Sequence, residues 1–164
     1  MKRIQSGFTL VELITVMLLI GILSAAAFSR FPDNSLYRES LFAKKIQSYL
    51  SMTQQISMAQ HSTAKKRLYT ASLALQKTAT AQWQVVIDNL HTTEQFALTL
   101  YTPVLLDNRP LDERGLTLYF SANGDFIEHS LQPGKPVSAS IALQIGRAAI
   151  CITPTGFSYA GACI

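Results

Sequence analysis

The sequence predicts an α+β protein: one long N-terminal helix, half membrane segment and half amphipathic, packed on an antiparallel β-sheet domain. Three observations predict it. Phe8 to Phe28 is an apolar run with a single charge, Glu12. Apolar residues then recur at helical spacing as far as about His61, and beyond Lys65-Lys66-Arg67 the chain changes to short, turn-bounded runs rich in aromatic and branched residues.

A helix over Phe8–Phe28 rises about 31 Å at roughly 1.5 Å per residue, enough for a hydrocarbon core of ~30 Å. Lys2 and Arg3 precede it, and basic residues keep their end of such a segment cytoplasmic. Everything after Arg30 then lies outside. The run also ends in the small residues Ala25-Ala26-Ala27, and a basic start, an apolar stretch and an Ala-x-Ala site together describe a secretory signal peptide. On that reading the mature protein begins at Phe28. Glu12 opposes it, because an ionised carboxylate in an apolar helix costs about 2.5–3.5 kcal/mol on insertion scales and a disposable signal has no use for it.

Pro32 ends the run by removing a backbone donor and turning Phe31 from helical geometry, so a break is expected over 30–33. Leu36, Phe42, Ile46, Tyr49, Leu50 and Ile56 form one apolar face of a second helical stretch, about 35–61, with Lys44, Lys45, Gln47 and Gln54 between them. Strands are expected at 68–75, 82–87, 95–101, 116–120, 126–129, 138–145 and 149–153. Asn123-Gly124 reads as a type I′ hairpin turn, and Pro133-Gly134 and Pro154 with Gly156 mark further turns.

Length and charge narrow the function classes. The 164 residues leave room for one globular domain beyond the apolar run. The net charge of +4 is halved if Lys2 and Arg3 are lost on processing, too little to argue for nucleic acid. Lys44, Lys45, Lys65, Lys66 and Arg67 offer a basic patch for DNA or, more simply, the polar face of a helix and its end. His61, His91 and His129 stand apart in different elements and read as solvent-facing or loosely bonded. Asp107, Asp112 and Glu113 around Pro110 read as a solvated loop, with a carboxylate cation site as the alternative. No nucleophile elbow, phosphate loop or dinucleotide fingerprint is present, so no catalytic residue, metal site or cofactor is expected.

Gly7-Phe8-Thr9-Leu10-Val11-Glu12-Leu13 resembles the class III leader of type IV pilins and type II secretion pseudopilins. The resemblance implies cleavage by a prepilin peptidase between Gly7 and Phe8, methylation of the new N-terminus at Phe8, and a carboxylate at Glu12 that neutralises the terminal amine of a neighbouring subunit in a filament. It implies a leader at 1–7, a transmembrane and filament-core helix at 8–31, and a periplasmic pilin-like domain at 32–164 with its β region from about 66. Its partners would be other pilin or pseudopilin subunits, the peptidase and an inner-membrane assembly platform. Gly21 matches the family's glycine, whereas Ser29 stands where relatives often carry proline. The runs Leu118–Gly124 and Ile150–Gly156 loosely resemble minor pilins and minor pseudopilins of the fimbrial-T and secretion-H kind, some of which in DNA-uptake systems bind DNA. Cys151 and Cys163, the two cysteines, would pair in an oxidising periplasm, much as many type IV pilins close a C-terminal loop. A metal or free thiols are the alternatives, though two cysteines without a nearby histidine are few ligands for zinc.

Overall fold

The computed structural model describes residues 9–28, 34–60, 68–80, 82–89, 91–98 and 102–164. Several expectations fall outside these residues: Gly7 and Phe8, the break over 30–33, His61, and Lys65, Lys66 and Arg67. The chain divides into two compact units, residues 1–34 and 35–164.

The first unit contains helix α1, Leu10–Phe28. It is apolar on every side, and its large side chains are open to the surroundings from Leu10, 74% exposed, through Ile14 and Met17 to Leu23. A helix with no polar face has no way to satisfy itself against water and belongs in lipid or among other helices. Among the described residues no helix is long and apolar enough to cross a membrane. The 19 residues of α1 rise about 28 Å, slightly less than a ~30 Å hydrocarbon core. The expected span starts at Phe8, outside the described residues.

The second unit is built on helix α2, Asn34–Ala59. Phe42, Ala43, Ile46 and Leu50 are buried along one stripe, and Tyr49 and Ile56 pack at its margins. The stripe continues with polar residues, since Thr53 and Ser57 are fully buried. Both hydroxyls are satisfied by the helix itself, Thr53 donating to Tyr49 O at 2.8 Å and Ser57 to Gln54 O at 2.7 Å.

Among the described residues ten strands follow: β1 Ala71–Lys77, β2 Trp83–Asn89, β3 Thr93–Leu98, β4 Val104–Leu106, β5 Arg109–Pro110, β6 Leu116–Phe120, β7 Phe126–His129, β8 Ile141–Ile145, β9 Ala148–Ile152 and β10 Ser158–Ala160. They form two five-stranded antiparallel sheets, ordered β3-β2-β1-β6-β7 and β10-β9-β8-β4-β5. Alternation sends Trp83, Val85 and Ile87, then Leu116, Leu118 and Phe120, and in the second sheet Ile141, Leu143 and Ile145, into one core shared with α2.

Two expectations about this region are corrected. The loop expected around Pro110 contains a hairpin: Asp107 and Asn108 both have positive φ, 48° and 66°, which is the type I′ pattern, and Pro110 sits on the sheet edge where its missing donor costs nothing. At Asn123-Gly124, by contrast, only Gly124 has positive φ (85°), and the connection is a longer loop. The Ser121 hydroxyl accepts from the Asn123 and Asp125 amides at 3.2 Å and holds that loop, with a register shift between Tyr119 and Phe120.

Candidate functional site

Thr9 begins α1 as its N-cap: the Glu12 amide donates to Thr9 Oγ1 at 3.3 Å and to Thr9 O at 3.1 Å. Thr9-Leu10-Val11-Glu12 has the Thr-x-x-Glu spacing of a capping box, a local signal for the helix start beside the functional one. The negative side chain of Glu12 therefore stands in the first turn, where helix amides concentrate positive potential. Thr15 and Ser24 donate their hydroxyls back to Glu12 O and Ile20 O at 2.9 and 2.7 Å, and the Glu12 carboxyl is the one ionisable side chain along α1.

At the other end of the chain, Cys151 on β9 and Cys163 are joined by a disulfide with Cα atoms 5.0 Å apart. Cys151 is fully buried but alternates with the core residues Ile150 and Ile152, so the bridge fastens the segment carrying β10 over the face of the sheet turned away from the core. Between the cysteines the turn at 153–156 packs against the turn at 121–125. Phe126 N donates to Pro154 O at 2.9 Å, and a Cβ added at Gly156 would run into Gly124 O.

Glutamines 47 and 54, expected as polar surface, are the clamps of this region. Gln54 Nε2 donates to Gly124 O at 3.1 Å and to Thr155 O at 2.9 Å, joining one turn from each sheet to α2. Gln47 Nε2 donates to Ser158 O on β10 at 3.1 Å. Near the start of α2, Glu39 accepts from the Arg147 amide at the β8–β9 turn at 3.0 Å and from the Thr102 hydroxyl at 3.5 Å. Each polar side chain flanks the buried stripe and reaches past it to backbone. Composition gives no hint of such bonds, because a glutamine that clamps and one that is solvated look alike in sequence.

Lys65, Lys66 and Arg67 of the candidate basic patch lie outside the described residues. Lys44 and Lys45 are exposed on α2. Asp112 pairs with Arg114 at 2.9 Å, and the bond from that guanidinium holds its carboxyl below the usual range. Asp107 Oδ1 accepts from Ala142 N at 2.9 Å. Among the described residues no three His, Cys, Asp or Glu side chains converge as metal ligands. His91 is exposed, whereas His129 is loosely bonded rather than solvent-facing: it is 8% exposed, stacked on Phe126 with ring centres 6.3 Å apart, and its Nδ1 has no hydrogen-bond partner. Burial lowers its pKa below the ordinary 6.5, against a smaller opposing pull from Asp107 and Glu128.

A family model described as the prokaryotic N-terminal methylation motif matches residues 2–28, the segment that includes the cap, Glu12 and all of α1. No curated protein and no solved structure matches the chain.

Proposed function

We infer that this chain, a member of the type IV pilin and pseudopilin family by its N-terminal methylation motif, is a minor structural subunit of a type IV pilus or of a type II secretion pseudopilus. The observation that carries the reading is α1 itself, apolar and exposed on all sides within the matched segment, with one carboxylate in its first turn. Such a helix needs a bilayer before assembly and other helices after it.

The steps follow from the chemistry of this segment. With Lys2 and Arg3 on the cytoplasmic side, the peptidase hydrolyses the Gly7–Phe8 bond, where glycine leaves the scissile carbonyl unobstructed. Methylation of the Phe8 amine keeps it cationic. An inner-membrane platform then withdraws the subunit into a filament, in which Glu12 neutralises the Phe8 amine of a neighbour. Two charges that are costly apart in an apolar medium become one satisfied pair. The shallow notch at Gly21, bordered by Ile14, Met17, Leu18 and Ile22, gives a neighbouring helix room for close approach. The domain from residue 35 onward projects on the periplasmic side, where an oxidising medium maintains the Cys151–Cys163 bridge.

Mass spectrometry of the mature chain from its host membranes tests the processing steps. The expected product begins at monomethylated Phe8. A chain beginning at Phe28 would make the segment a discarded signal, and one beginning at Met1 would remove the peptidase from the pathway.

A further inference from the structure

His129 lines a cleft of about 410 Å³ between the β4–β5 hairpin and the loop 130–140, within the size range of small-ligand pockets. Leu106, Val137 and Ile141 supply the apolar part of a lining that is otherwise polar, and Arg109 and Lys135 bring two positive charges to the same cleft. Among the described residues neither cation has an ion-pair partner. Asp107 is the one carboxylate in the lining, and its Oδ1 is held by Ala142 N. The loop wall is fastened by its own bonds: Val137 N donates to Ile127 O at 3.0 Å, and Gly134 N to Glu128 Oε1 at 2.8 Å. A buried imidazole with an unpartnered nitrogen in such a lining is costly unless something uses it, since unpaired buried polar groups destabilise a fold.

We propose that this cleft binds an organic carboxylate, with the anionic head between Arg109 and Lys135 beside His129 and a short hydrocarbon body against Leu106, Val137 and Ile141. Two unpaired cations against one engaged carboxylate favour an anion. The apolar part of the lining offers a short hydrocarbon body a contact that bare phosphate or sulfate would leave unused. Binding would also change the protonation of His129. The charged groups around that ring are Asp107 on the β4–β5 turn, Glu128 beside it on β7, and Arg109 and Lys135 along the cleft. An added anion opposes the effect of burial and draws a proton onto the ring. The proposal uses none of the residues of the N-terminal segment and stands apart from the filament reading.

The test is a titration of the full chain in nonionic detergent, labelled at histidine Cε1 and followed by NMR, with butyrate as the probe. The expected result is a saturable shift of the His129 signal and a rise in its apparent pKa, while the His91 signal stays in place. Arg109→Ala combined with Lys135→Ala changes exposed side chains only and should weaken binding about tenfold. Butylammonium should give no shift, and phosphate a weaker one. A short peptide with a free terminal carboxylate, compared with its amide, separates two sources of the ligand. Competition by the free acid alone assigns the cleft to a peptide terminus, and no competition by either assigns it to a small acid. An unsaturable butyrate response, an equal response in the double variant or an equal response to butylammonium would overturn the proposal.

Discussion

At the scale of single residues, His129 shows how context reverses what a side chain suggests in isolation. An isolated histidine flanked by polar neighbours reads as surface, yet the register shift in the β6–β7 pairing brings it to the same buried face as Phe126, and the strand offers no partner for Nδ1. Its lowered pKa links protonation to stability: between the folded value and the ordinary value near 6.5, the unfolded chain binds the extra proton. Stability therefore falls as pH drops from about 6.5 toward the folded value. His129→Gln should flatten that dependence in thermal melts recorded from pH 7 to pH 5, while an unchanged slope would place the titrating group elsewhere. Glu12, by contrast, was legible from sequence as an anomaly, because a lone carboxylate in an apolar run stands out by cost alone.

Among elements, the clearest lesson concerns which patterns carry their own partners. β6 and β7 occupy the residues that pattern and turn residues mark, Leu116–Phe120 and Phe126–His129; the five residues of β6 alternate inward and outward, and the four of β7 are bounded by turns on both sides. β4, β5 and β10 have three residues or fewer, too short for any period, and went unseen. The division into two sheets was equally hidden, because strand pattern fixes which face is buried but not which neighbour is chosen. α2 was visible through Phe42, Ile46 and Leu50, whereas the last turns of its buried stripe are Thr53 and Ser57, whose hydroxyls bond inside the helix. Polar joints tie these elements together. Gln54→Ala leaves the Gly124 and Thr155 carbonyls without that donor and should cost about 1–3 kcal/mol, read as a lower melting temperature with no loss of helix signal. Reducing the Cys151–Cys163 bridge should cost about 3 kcal/mol in the loop-entropy picture, checked by denaturant midpoints with and without reductant. A midpoint that ignores reductant would mean that β10 is held by Gln47 and its ladder alone.

For the whole molecule, the two units follow opposite physical rules. Residues 35–164 bury their own apolar surface in one core between α2 and two sheets, and their polar groups are largely tied to backbone. α1 exposes its large apolar side chains from Leu10 to Leu23, so its stability is deferred to a lipid or protein environment. A chain divided in this way is suited to a subunit that waits in a membrane and is completed by its neighbours. In the proposed function Glu12 is where that completion would become specific, since hydrocarbon alone sets neither register nor orientation between helices. The most direct measurement is the amount of full-length Glu12→Ala chain recovered in sheared filaments, relative to the wild type and normalised to processed chain in the membrane. The expected result is normal cleavage and methylation at Phe8 with incorporation lowered about tenfold or more, the scale of one lost charge pair in an apolar setting. Wild-type incorporation of the processed variant would contradict the pairing and with it the role assigned to this helix.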